Sequence, residues 1–149
     1  MILGVDIGKK YALCKLQRGV MPEISFLDSG FLSGYLYEID KLREPLLVVY
    51  EKVNANSQFG VKSCFQFGYE LGWFEALLGT ITVAKREVVA PLKWKNALNV
   101  HSKGEAIDFV RSRYDEKCII PKGGKVANHN MADSVCIAHY GALLWEGYL

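Results

Sequence analysis

The chain has 149 residues, half of them hydrophobic and 23% charged, which supplies enough apolar material for one packed domain and excludes a disordered chain. Net charge is only +2, so gross charge names no polyanionic partner. The charge is uneven, however: residues 1–84 carry 8 Lys and Arg against 9 Asp and Glu, whereas residues 85–125 carry 10 against 5, marking the second segment as a candidate polyanion-facing surface.

No apolar run reaches the length of a membrane span, and Asp6, Lys9 and Lys10 interrupt any apolar core of a signal peptide. A cytoplasmic protein without membrane contact is therefore expected. The four cysteines, Cys14, Cys64, Cys118 and Cys136, form no C-x-x-C pair, which argues against a zinc site and suits a reducing compartment. Cys64 and Cys136 fall in apolar helical patterns and read as small core residues.

"MILGVDIGKK" opens the chain as a strand, with Leu3 and Val5 on one face and Ile2, Gly4 and Asp6 on the other. "YALCKLQRG" and "PEISFLDSG" follow as short strands, separated by the turn signals "GKK" and "RGVMP", and complete an antiparallel meander. Residues 34–43 are predicted to form a short helix. "PLLVVYEKV", residues 45–53, is a near-continuous apolar run of the kind found in a strand covered on both faces; Glu51 closes it. The spacing predicts a long helix over 59–78, with Val61, Phe65, Leu71, Phe74 and Leu78 toward the core and Gly68, Gly72 and Ala76 as a small-residue ridge. A strand "TITVAKREV", a short helix from Pro91 and an amphipathic helix near 103–114 come next. "PKGGKVANHN", 121–130, reads as a loop, and a last helix spans about 131–146. This order predicts one α/β domain over residues 1–149, with an antiparallel and a parallel half in its sheet.

Three acids are placed unusually. Asp6 lies within an apolar strand, Glu51 closes a central one, and Asp133 stands one turn before Ile137 on the apolar stripe of the last helix. Burying an isolated carboxylate costs far more than one side chain's packing returns. If the first and fourth strands are neighbours, Asp6 and Glu51 converge near the middle of the sheet, and the last helix can bring Asp133 over the same point. Clustered carboxylates repel and need positive charge. The inner face of the last helix carries no Lys or Arg, and oxygen donors suit Mg²⁺ or Mn²⁺. The plainer alternative is three unrelated acids, each at the end of an element.

Four segments, in order, resemble the RuvC-like Holliday junction resolvases of the RNase H-like nuclease superfamily. "GVDIG" at 4–8 is similar to the first-strand aspartate motif, and "VVYEKVNANSQFGVKSCFQFGYELG" at 48–72 to the strand-end Glu followed by a polar loop and a helix with F-x-F-G. "VVAPLKWKNALNV" at 88–100 resembles the Pro-x-x-Trp-Lys segment, and "HNMADSVCIAHYG" at 129–141 the last-helix acid motif. The resemblance spans nearly the whole chain. It implies an RNase H-like fold, a mixed five-stranded sheet with helices on both faces. It also implies a crossover junction endodeoxyribonuclease of bacterial or phage type that leaves 5′-phosphate and 3′-hydroxyl ends. Asp6, Glu51 and Asp133 carry over as the catalytic ligands of two Mg²⁺ ions, with Mn²⁺ as a substitute. A fourth ligand is expected about one turn earlier, where this chain has Asn130 and, beside it, His129; Asn offers only a neutral carbonyl. His129 is also a candidate proton shuttle or DNA contact.

Candidate phosphate contacts are Lys85, Lys93, Lys95, Lys103, Lys122 and Lys125, with "PKGGK" pairing two lysines and two glycines just before the last helix. Trp94 is expected to pack rather than stack on a base. Phe59, in the polar loop after Glu51, is a candidate wedge into a junction. Branched DNA, four-way junctions above all, has two strands to cut, which suits a twofold homodimer. An RNA–DNA hybrid nuclease and a catalytically weak DNA-structure binder are the competing readings. An actin-like sugar kinase, which also carries a D-x-G loop, needs a far longer chain.

Overall fold

A computed structural model describes residues 1–52 and 60–148. Phe59 and the rest of the polar loop after Lys52 lie outside the described residues. The strands are β1 (Ile2–Ile7), β2 (Tyr11–Leu16), β3 (Glu23–Leu27), β4 (Leu47–Glu51) and β5 (Lys85–Val89). The helices are α1 (Ser29–Lys41), α2 (Val61–Leu78), α3 (Pro91–Leu98), α4 (Lys103–Arg113) and α5 (His129–Trp145), with a 3₁₀ turn at Glu116–Ile119. The strand order is β3-β2-β1-β4-β5. β1, β2 and β3 form the antiparallel meander, and β4 and β5 run parallel to β1, so the sheet is mixed and five-stranded as expected.

Side-chain alternation assigns the two faces. Leu3, Val5 and Ile7 of β1 join Val48 and Tyr50 of β4 in a core with Leu32 and Leu36 of α1 and Phe74 and Leu78 of α2. Leu47 and Val49 point the other way, into a second core with Trp94, Phe109, Val110 and the length of α5 from Met131 to Tyr140. Helices thus cover both faces, which is why β4 is apolar at consecutive positions.

Close approach holds α5 on the sheet. A Cβ at Gly4 would collide with the backbone nitrogen of Ala138 and the backbone oxygen of Ser134, and one at Gly141 would stand 2.7 Å from a Val49 methyl. These two glycines let the helix lie directly over β1 and β4. As a result α5 is buried nearly all round from Met131 to Gly141, and the anticipated stripe is broader than three positions; Leu144 is only half-buried.

Several boundaries and faces differ from expectation. α1 begins at Ser29, not 34; Asp28 precedes it in extended conformation, and its carbonyl accepts from the Phe31 N–H at 3.0 Å. The strand expected from Thr80 begins only at Lys85; residues 80–84 form a turn in which the Thr80 hydroxyl donates to the Leu77 carbonyl and the Thr82 N–H to Asp40. α5 begins two residues early, with the Asn128 side chain capping the Met131 N–H. The largest correction concerns α2. Val61 and Phe65 are 88% and 79% exposed, and Cys64 is only half-buried. The buried stripe is Glu70, Phe74 and Leu78, because only the C-terminal half of the helix has sheet beneath it. Glu70 tolerates burial by accepting from the Tyr11 hydroxyl at 2.7 Å and the Gln66 amide at 2.6 Å. No helix among the described residues is long and apolar enough to cross a membrane.

Candidate active site

β1 and β4 pair in register Gly4 with Val49 and Val5 with Tyr50, so Asp6 and Glu51 follow side by side at the C-terminal ends of two adjacent parallel strands. Gly4 lies under Ser134 of α5 so closely that a Cβ would meet its carbonyl, and Gly141 lies over Ile2, so Asp133 stands toward the C-terminal end of β1. The three acids therefore come from three separate elements to one end of the sheet. Asp6, Glu51 and Asp133 are half-buried.

Their electrostatics couple them. Burial, then the negative charge of Asp133 and Glu51, pushes the Asp6 carboxyl up to about 7, while Lys95 opposes the rise. Burial raises Asp133 to about 6; Glu51 adds to the shift, and Lys95 and Lys103 counter it. Such a set of hard oxygen donors, short of positive charge, fits a divalent cation. Among the described residues no three acidic, histidine or cysteine side chains stand close enough to enclose one ion, so the donors are neighbours rather than a closed shell.

Glu51 has a partner that sequence reading missed. Its Oε1 accepts from the indole Nε1–H of Trp94 at 2.6 Å, across 43 residues of chain. Trp94 is wholly buried, as the packing expectation held, and its ring also carries the Lys95 ammonium 5.3 Å from the centroid. The available signal was "KWK" in a helix starting directly after β5: a buried indole N–H requires an acceptor, and Glu51 pairs with Val89 two residues before that helix. Lys95, anticipated as a phosphate contact, is also the cation whose charge lowers the Asp6 and Asp133 carboxyls.

The remaining candidates are dispersed. His129 and Asn130 occupy the first turn of α5, one turn before Asp133, and both are half-buried. Burial and then Lys103 lower the His129 pKa, favouring the neutral imidazole. Lys93, Lys103, Lys122 and Lys125 are exposed on α3, α4 and the loop before α5. Lys85 pairs with Leu47, at the opposite end of β5 from the acids.

No protein-family model and no curated protein matches the chain. Among solved structures, Thermus thermophilus RuvC in complex with a Holliday junction substrate is similar at a TM-score of 0.68 and 16% identity, covering 98% of this chain and 95% of that one. A second Thermus thermophilus RuvC structure is similar at 0.63 and 19%, covering 98% and 96%. The yeast mitochondrial Holliday junction resolvase Ydc2 is similar at 0.57 and 15%, covering 98% and 78%. Together with the mixed sheet and its covering helices, these likenesses establish that the chain has the RuvC fold over nearly its whole length.

Proposed function

We propose that this protein is a metal-dependent, structure-specific endodeoxyribonuclease that resolves four-way DNA junctions, leaving 5′-phosphate and 3′-hydroxyl ends. The observation that carries the reading is the meeting of Asp6, Glu51 and Asp133 at one end of a RuvC-type sheet, with their charges coupled. The structural neighbour described with a Holliday junction substrate supports the same substrate class.

Asp6, Glu51 and Asp133 would hold two Mg²⁺ ions, or Mn²⁺ in their place, with the Asn130 carbonyl or the His129 imidazole as a fourth donor. Bound there, such ions supply an activated water and stabilise charge on the leaving oxygen of an in-line displacement. Lys95 balances part of the acid charge. Lys93, Lys103, Lys122 and Lys125 would position phosphates without reading bases. Lys85, at the far end of its strand, is left out of this surface.

A second copy of the chain completes the assembly. Val61, Phe65, Tyr69 and Trp73 recur every four residues along α2 and are all exposed, and Gly68 and Gly72 beside them have open space where a Cβ would be. The small-residue ridge thus faces away from its own sheet. An exposed apolar helix face with a small-residue strip suits the self-complementary contact of a twofold dimer, which would present two sites to two strands. The expected compartment is the cytoplasm, where the DNA of a bacterial cell or phage-infected host is found.

The test is a substrate panel of four-way junction, flap, duplex and RNA–DNA hybrid with Mg²⁺. Paired cuts in the junction, dependent on metal, support the reading. Preferential hybrid cleavage overturns it in favour of an RNase H-type activity, and tight junction binding without cleavage in favour of a DNA-structure binder.

A further inference from the structure

We infer that Trp94 is a positioning residue for the acid cluster: its indole N–H fixes the Glu51 carboxylate for cation binding. The inference rests on the nuclease reading above and deepens it. Trp94, between two lysines in a short helix, has no exposed area, as its packing reading expects. Its one polar atom would be an unsatisfied buried donor without an acceptor, and the acceptor is an oxygen of Glu51 at 2.6 Å. The bond is charge-assisted, and it ties one of two carboxylate oxygens to a group whose rotamer the core locks. Glu51 ends β4, and the neighbouring helix α3 supplies the donor to its side chain. The same ring carries the Lys95 ammonium at 5.3 Å, a cation–π distance. One buried side chain therefore holds an acid by its edge and a base by its face. Hydrogen-bond partners of ligating carboxylates act in this way, and their loss commonly weakens metal binding about 10- to 100-fold.

The experiment replaces Trp94 with Phe and, separately, with the benzothiophene analogue of tryptophan, which keeps the bicyclic shape and lacks the N–H. Mn²⁺ binding to the DNA-free protein is measured by calorimetry, junction binding in Ca²⁺, and the Mg²⁺ concentration for half-maximal junction cleavage. Both variants are expected to bind Mn²⁺ about 10-fold more weakly and to need correspondingly more Mg²⁺. Junction affinity should be unchanged and maximal cleavage at saturating metal largely recovered. The analogue guards against a Phe variant that fails to fold. An analogue protein with wild-type metal affinity, beside an active wild-type enzyme, overturns the role of Trp94 alone. A wild-type protein that binds no Mn²⁺ and cuts no junction overturns the nuclease reading and this inference together.

Discussion

At the residue scale the site is defined by carboxylates held in an environment that resists their charge. Asp6→Asn keeps the size of the side chain and removes the charge that would anchor a cation. Cleavage of a four-way junction should be abolished while junction binding stays within a few-fold of wild type; near-normal cleavage by the folded variant would remove Asp6 from the site. The same residue has a consequence for stability. Its folded-state pKa of about 7 lies above the ordinary 3.8, and that of Asp133 is about 6. The folded protein thus binds protons more tightly than the unfolded chain, and the stability tied to these groups is complete below about pH 4. It is lost as pH rises through 6 and 7. Metal-free protein should lose on the order of a few kcal/mol between pH 5 and 8 in urea unfolding, since each pKa unit corresponds to about 1.4 kcal/mol. Asp6→Asn should flatten that slope, and Mg²⁺ should restore stability at the alkaline end. A variant with the same slope as wild type would show that Asp6 is not the titrating group.

At the element scale the crossing of α5 over β1 and the outward face of α2 do most to shape the molecule. Gly4 sits under the α5 backbone, which cannot move as a flexible side chain could. Gly4→Ala should therefore destabilise the fold by about 3 kcal/mol or more, at or beyond the upper end of ordinary overpacking, and lower cleavage by displacing Asp133 from Asp6. Denaturant midpoints decide this: a variant as stable as wild type would mean that α5 does not rest where the contact places it. On α2, Phe65→Glu adds a charge to a side chain that is 79% exposed in the single chain, so the folded monomer should be little affected. In the proposed dimer the same charge would be buried without a partner. Sedimentation should then show a monomer for the variant and a dimer for wild type, and an unchanged dimer would assign the interface to another face.

At the scale of the whole molecule, the basic surplus of residues 85–125 divides between two tasks. In the proposed nuclease Lys95 would offset the acid charge, while Lys122 and Lys125 stand exposed in the loop leading into α5. Replacing Lys122 and Lys125 together with Ala should weaken junction binding across sequences and lower the slope of log affinity against log salt by roughly 0.9 per lost phosphate contact. An unchanged slope would place this loop away from DNA. What the sequence by itself determined is what depends on local periodicity and composition: the alternation in β1, the doubly buried run of β4, the strand and helix order, and the places of Asp6 and Glu51 near the ends of their strands and of Asp133 on the last helix. These patterns are written within single elements, where the period of 2 or 3.6 residues dictates which side chains share a face. Only the tertiary structure decided what depends on how elements meet. The spacing of α2 could not reveal that sheet lies under only its second half, so Val61 and Phe65 read as core. The parallel register of β4 with β5 put Lys85 at the end away from Glu51, and no local pattern contains that register. The Trp94 bond to Glu51 joins residues 43 apart, through packing of α3 against the sheet that neither segment encodes alone.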